Sequence, residues 1–493
     1  MWVLGDQLDR SSGPLAVAEP DTTRLLFVES EAKIRSKRWH RQRLHVFLAS
    51  MRRFAAELEA EGFTVDYRRT DTMAAGLEAH VADAAPERVR VMAPLNWDGR
   101  QVLERLPVQI EPNDQFLCSP SDFADWAHGR NRLTMEDFYR WQRTRLDVLM
   151  DDGRPSGGAW NFDKDNREPP PRDGRSWPLV RRFDRSDIDE EVIAEIERYD
   201  VWGQAPEGWW PTCRADARQR LDDFVERALT TFGSHQDAML DSEWSMSHSL
   251  VSSALNTGLL TPREVVEAAE AAYRRGDAPI NSVEGFVRQV IGWREYVLGV
   301  YWLWMPEYRT ANGLDAGEPL PPVFEGTATT EMRCLSAVLR NLDAHGWNHH
   351  IERLMVLGNL FLTSGIDPQA AVDWMWRNYV DAAEWVMLPN VIGMATHADG
   401  GRMATKPYAA GGAYLHRMGD WCRGCRFDPK KRTGGDACPF TTLYWDFLAR
   451  NEEALSGNHR LSRQLGGMRR LADLDDVRSR AREVIVGLRE GNL

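Results

Sequence analysis

Between Cys422 and Pro439 the chain reads Cys-Arg-Gly-Cys-Arg-Phe-Asp-Pro-Lys-Lys-Arg-Thr-Gly-Gly-Asp-Ala-Cys-Pro, which places three thiols in one loop and a proline after the last. A fourth thiol, Cys334, lies far upstream. Four thiolates suit an iron–sulfur cluster, and a Cys-Pro step at the last ligand is a habit of cluster loops. They also suit a structural zinc ion, which ordinarily pairs one Cys-x-x-Cys knuckle with a second. Because the distant partner is a single cysteine, the spacing favours a cluster while leaving zinc open. The same loop carries Arg423, Arg426, Lys430, Lys431 and Arg432. The remaining two of the six cysteines, Cys118 and Cys213, are isolated, so no secreted disulfide framework is indicated.

Four further stretches carry chemistry. Phe232–Met239 and Ser245–Leu260 are rich in hydroxyls, and hydroxyls with backbone amides ahead of a helix can hold a phosphate. Such loops are also ordinary sites of caps and turns. In Glu284–Tyr296, Arg288 and Glu295 are seven apart and hence expected on one helical face, with Gln289 and Trp293 beside them. In the helix expected over 347–363, His350 follows Trp347 by three and precedes Leu354 by four, which places it on the apolar flank, while His349 lines up with Arg353.

The elements that must position these residues fall into two patterns. Residues 1–130 alternate short apolar runs (Met1–Leu4, Arg24–Val28, Thr64–Tyr67, Val89–Ala93) with helical periodicity, as over Arg41–Glu61. This predicts an α/β domain with a doubly wound parallel sheet, and the turn Gly5-Asp6-Gln7 falls where such folds present ligand-facing loops. Residues 131–210 read as an interdomain linker, with Gly157–Arg167 and the Pro169-Pro170-Pro171 run unsuited to regular structure. From 211 to 493 the periodicity is helical throughout, over 216–232, 262–275, 281–304, 331–343, 347–363, 368–380 and 471–489, which predicts an all-α domain.

The 493 residues exceed what one core ordinarily serves. The net charge of −13 argues against a surface that binds phosphate everywhere and confines any nucleic-acid grip to local patches such as 423–432 or 460–470. Twenty tryptophans fit large helical cores or an aromatic-lined cofactor site. With no signal-peptide pattern and no long apolar run, the expectation is a cytoplasmic protein with no membrane contact, and a monomer.

Taken together, the segment Ser247 to Leu260 (Ser-x-x-Leu spacing closed by Gly-x-Leu), the Arg288–Glu295 helix, and Lys406-Pro407-Tyr408-Ala409-Ala410-Gly411-Gly412 resemble the flavin-binding domain of the photolyase/cryptochrome family. The four cysteines, Gly157–Asp163 and Trp385–Asn390 are similar to the iron–sulfur bacterial cryptochromes and (6-4) photolyases within it. The resemblance covers essentially the whole chain. It implies FAD held by Ser247, His248, Ser249, Leu250, Gln289, Trp293, Arg294, Asn390 and Tyr408, with Asn390 beside the flavin ring. It implies a 4Fe-4S cluster on Cys334, Cys422, Cys425 and Cys438, with the cationic loop as the rim of a lesion-binding face. It implies UV-damaged DNA as partner and light-driven repair of (6-4) photoproducts, in which transfer of a hydroxyl between pyrimidines needs a proton donor. His350 is expected to be that donor and His349 to support it. A signalling photoreceptor of cryptochrome type is the alternative. The resemblance further implies electron transfer through Trp374, Trp376 and Trp385, and a divalent ion such as Mg2+ at Asp163. It also implies a 6,7-dimethyl-8-ribityllumazine antenna, although Lys33 and Ser36 stand where an acidic residue and an aromatic are expected.

Overall fold

The computed structural model describes residues 1–493. Its N-terminal part is built on parallel strands. Arg24–Ser30 pairs in register with Thr64–Thr70, Arg24 opposite Thr64. Arg90–Met92 pairs with Gln109–Glu111. The extended Met1–Leu4 segment joins the two pairs, since Trp2 bridges both Leu26 and Val91 in parallel. The spatial order therefore runs outward in both directions from the first segment of the chain, which is the doubly wound arrangement expected. Leu25, Leu26, Phe27 and Val28 are all buried, as befits a central parallel strand covered on both faces. The outer strand Gln109–Glu111 was not legible, because three residues of mixed polarity carry no period.

The turn after Met1–Leu4 is clamped to its neighbours. Gln7 Nε2 donates to Met92 O and Ala93 O, and Gln115 Nε2 donates to Asp6 O. Burial pushes Asp6 up to about 6.

The stretch 131–210, expected as linker, contains two helices, Met135–Leu146 and Asp187–Ile196. Phe138 and Tyr139 of the first are buried, and Phe138 packs edge to face on Trp126, ring centroids 5.1 Å apart. Polar composition masked this helix, whose buried stripe includes Gln142 and Arg143 beside Met135, Phe138 and Tyr139. The close approach of Phe123 to the helix Glu295–Trp304 depends on Gly299, where a Cβ would lie 2.1 Å from Phe123 Cδ2.

The helices expected in the C-terminal part form, including Pro262–Arg275 and Arg333–His345. Four segments depart from α-helical geometry: Phe224–Ala228, Arg288–Arg294, Glu352–Gly358 and Asn390–Ala395 are π-helical. Such turns commonly occur at functional sites. One hydrophobic core of 86 residues runs from Val3 to Leu488, so the N- and C-terminal parts share it.

Candidate functional site

Three of the π-helical segments carry polar side chains into the interior of the helical part. In the first, the extra residue per turn changes the phase, and the expectation that Arg288 and Glu295 share a face fails. Arg288 turns to Asp163 (3.2 Å) and Glu284 (3.3 Å). Glu295 instead accepts the backbone amides of Leu117 (3.1 Å) and Cys118 (2.9 Å). Trp293 packs against the core, ring centroid 6.3 Å from Tyr296, and Gln289 Nε2 donates back to Gly285 O at 3.4 Å.

A charged network crosses the interior beside the Ser-rich loop. Arg353 makes two 3.0 Å bonds to Asp381 and lies 3.9 Å over the Tyr379 ring. Asp381 accepts from Ser252 Oγ at 2.7 Å, and its carbonyl accepts from Asn256 Nδ2 at 2.8 Å. Asn256 Oδ1 in turn accepts from Arg294 Nε at 3.3 Å, and Arg294 stacks 3.9 Å over Phe116. Arg294 Nη1 is buried without a hydrogen bond, its nearest carboxylate oxygen, Glu295 Oε1, lying 3.8 Å away, and Ser253 Oγ and Trp385 Nε1 are likewise buried and unbonded. Desolvation lowers the Arg294 guanidinium to about 10. A buried cation with an uncommitted donor is costly unless an anionic group meets it. The residues present thus fit a ligand with phosphates.

The loop that leads into this network is held open by backbone geometry. Met246 and Leu250 both adopt left-handed φ, +44° and +56°. Ser247 Oγ is tied to Thr231 Oγ1 at 2.7 Å, and Leu250 is buried with Trp210 and Trp347. Asn390, in the last π-helical segment, donates its amide to Val386 O at 2.8 Å. Tyr408 is half-buried, its hydroxyl shifted up by burial and, less, by Glu136, Asp163 and Asp237.

Three imidazoles meet at one end of this region. His248 and His349 are stacked with centroids 4.7 Å apart and planes 11° from parallel, and His350 lies edge-on to His248 at 5.5 Å. One ring nitrogen of each lies within 4.8 Å of the others. His349 is fully buried with neither nitrogen bonded, whereas the His350 side chain is 46% exposed and places Nε2 3.3 Å from Asp237 Oδ1. This reverses the burial expected from helical phase. The helix begins only at His350, so His349 precedes it and the phase argument does not reach it. Burial drives both His248 and His349 well below the ordinary imidazole range, with the neighbouring imidazoles adding to it.

Behind His349 lies Glu352, Oε1 3.8 Å from His349 Nε2, with Asn348 Nδ2 donating to Oε2 at 3.0 Å. Burial pushes Glu352 up from 4.5 to about 8. Below pH 4.5 the group is protonated in the folded and unfolded chain alike and has no effect on stability. From there to about 8 the unfolded chain ionises first, so stability falls as pH rises, and above about 8 the cost is complete. Glu352→Gln is expected to remove this slope, so that its melting temperature relative to the parent rises across that window by the equivalent of a few kcal/mol. Parallel melting profiles for the two proteins would refute the assignment.

The four cysteines converge. Cys334 lies in the first turn of the helix Arg333–His345, Cys422 lies within the turn Trp421–Gly424 and Cys425 follows it, and Cys438 immediately precedes the helix Pro439–Arg450. They line one apolar pocket with Met332, Leu415, Trp421, Phe427 and Phe440. The loop is closed by Cys438 N donating to Asp428 O at 3.2 Å. Burial raises the thiols, Cys422 to about 12 and Cys334 further, with the other cysteines of the cage adding to it. Four thiolates cannot coexist here without a cation among them, so the donor set fits a metal centre. The amides of Phe440 and Thr441 bias Cys438 toward thiolate, though burial still outweighs them.

A family profile described as deoxyribodipyrimidine photo-lyase-related protein matches residues 1–210. Over 490 residues the chain is 41% identical to the (6-4) photolyase of Agrobacterium fabrum, covering 97% of this chain and 96% of the relative. The chain belongs to the photolyase/cryptochrome family. The fold is shared with a bacterial class III photolyase from Agrobacterium tumefaciens, with TM-score 0.59 at 16% identity over 99% of this chain and 98% of that one. It is shared also with a Synechocystis cryptochrome, with TM-score 0.55 at 13% identity over 82% of each chain.

Other residues expected from the photolyase resemblance are more scattered. Trp374 is buried against Phe324, Phe361 and Tyr379, at 5.1, 5.9 and 6.3 Å. Trp376 lies between the ammonium groups of Lys33 and Lys37, each 5.0 Å from its ring, and Trp385 stands edge-on to Phe116 at 5.1 Å. None of the three stacks on another. Asp163 is ion-paired with both Arg167 and Arg288. In the cationic loop, Arg426, Lys431 and Arg432 pair with Glu331, Asp436 and Asp473. Sequence reasoning passed over Asp237, Glu352 and Asp381, and also a run of tryptophans beside the imidazoles. Trp347 is 6.1 Å from His248, Trp244 is 5.6 Å from Trp347, and Trp209 is 5.7 Å from Trp244. These positions are so far apart in the chain that no local pattern links them. No helix is long and apolar enough to cross a membrane.

Proposed function

We propose that this member of the photolyase/cryptochrome family repairs (6-4) pyrimidine–pyrimidone photoproducts in DNA under light, with FAD and a 4Fe-4S cluster as resident cofactors. The observation that carries the reading is the imidazole group, in which one exposed histidine, His350, faces outward from two buried ones. The likeness to a named (6-4) photolyase over nearly the whole chain supports it.

Bound FAD in its reduced form would supply the electron that light delivers to the lesion. Arg294 and the Ser247–Leu250 loop would hold it, Arg294 through the Nη1 donor that makes no hydrogen bond within the protein. Ser249 lies within that loop, and Asn390 and Tyr408 would border the ring and the lesion side. Cys334, Cys422, Cys425 and Cys438 would hold the cluster, joining the C-terminal helices to the helix that leads to the histidines.

The chain's own chemistry is proton handling. Asp237 beside His350 Nε2 favours the N–H on that nitrogen, which leaves Nδ1 to exchange a proton with a bound lesion. His349, held neutral by burial, fixes the floor beneath it without adding a competing charge. A lesion base is flipped more cheaply than a paired one, which supplies part of the selectivity.

Illumination of the reduced holoprotein with an oligonucleotide bearing one (6-4) lesion is expected to restore the undamaged sequence, followed by chromatography. Unchanged lesion after illumination, with FAD and iron both present in the sample, would overturn the assignment.

A further inference from the structure

His248, His349 and His350 come from two distant stretches of chain, yet one nitrogen of each lies within 4.8 Å of the others. His349 is buried with both nitrogens unpartnered, and His248 Nε2 is likewise buried and unpartnered. A carboxylate, Asp237, stands 3.3 Å from the third imidazole. Imidazole nitrogens converging beside a carboxylate, those of His349 and His248 Nε2 without a partner, are the donor set of zinc, nickel and copper rather than of magnesium or calcium.

We propose that His248, His349 and His350, with Asp237 beside them, bind a transition-metal dication of the zinc class, and that the bound ion silences lesion chemistry at this site. The silencing half rests on the repair function proposed above; the binding half does not.

The geometry needs only a modest closure. Zinc–nitrogen bonds of about 2.0–2.1 Å in a tetrahedron place ligand nitrogens about 3.4 Å apart, so the rings must approach by no more than about 1.5 Å. His248 lies on an irregular loop and His350 is exposed, so both can turn toward the buried His349. The stacked arrangement of His248 on His349 must open for both to ligate one ion, and rotation of the His248 ring does this. Glu352 Oε1, 3.8 Å from His349 Nε2 and not bonded to it, is the nearest carboxyl that could take up the outer position which commonly orients a ligating histidine. An imidazole nitrogen that holds a metal carries no proton, so ligation releases to solvent any proton on that nitrogen of His350. The histidine is then withdrawn from proton exchange with the lesion.

The test uses full-length holoprotein with its iron content verified, so that zinc in the cysteine cage is excluded. Titration calorimetry with Zn2+ is expected to show one site of micromolar affinity or tighter. His248→Ala and His349→Ala are each expected to weaken it at least about 30-fold, and Asp237→Asn by a smaller factor. Crystals soaked in Zn2+ should show an anomalous peak among the three imidazoles. Asp237→Asn, at a partly exposed position, serves as a second variant should a buried substitution fail to fold. Affinity unchanged in all three variants, or an anomalous peak elsewhere only, would overturn the site. In the repair assay, Zn2+ should lower the rate at least tenfold and EDTA should restore it. Full repair with zinc bound would overturn the silencing half alone. A chain that binds zinc at the imidazoles but repairs no lesion would overturn the proposed function and leave the binding site standing.

Discussion

Replacing His350 by alanine is expected to lower light-driven repair by about 10²–10⁴-fold, the range for loss of a positioned proton donor, while FAD content and lesion affinity stay close to those of the parent. The argument is one of position. His350 is the exposed member of the three imidazoles, and Asp237 orients it at 3.3 Å. It bonds none of the groups in the Arg294–Asn256–Asp381–Arg353 network, so its removal leaves that network intact. The rate of product formation under saturating light, with flavin absorbance and lesion binding measured on the same sample, separates the outcomes. Repair within threefold of the parent would remove His350 from the chemistry.

Cys438→Ser is expected to have the second large effect, loss of iron together with a fall in melting temperature of at least about 5 °C. Cys438 starts the helix Pro439–Arg450 and Cys334 starts Arg333–His345, so the cage pins two helices that are distant in sequence. Without a cation, the pocket contains thiols whose ionised forms burial and mutual repulsion disfavour. The pocket wall is then an apolar surface with nothing to close around. Iron analysis and a thermal scan on the same preparation check this. A Cys438→Ser protein with full iron content would show that another ligand set holds the metal.

How much of this was legible in the sequence differs by feature. The doubly wound sheet was readable because buried parallel strands announce themselves as apolar runs, Leu25–Val28 most clearly. The helical domain was readable from periodicity, and the four cysteines from spacing. What failed did so where geometry departs from the regular period. His349 and His350 were assigned to the wrong flanks because the helix starts three residues later than the pattern suggests. Arg288 and Glu295 were placed together because a seven-residue spacing was read as two α-turns, whereas the segment is π-helical. Asp237, Glu352 and Asp381 carry no local signature, since their partners lie on other elements. The helix Met135–Leu146 escaped notice because its outer face is charged and only Phe138, Tyr139 and a few neighbours face inward.

The π-helical segments make the winding of the backbone, and not only residue identity, a determinant of this site. Arg288–Arg294 keeps one more residue per turn than an α-helix would. Were the same residues closed as ordinary α-helix, every side chain type would still be present, but all that follows would be turned by roughly a third of a turn. Glu295 would leave the amides of Leu117 and Cys118, and Arg294 would leave Asn256. The pocket is therefore set by how this helix is wound as much as by which residues it carries.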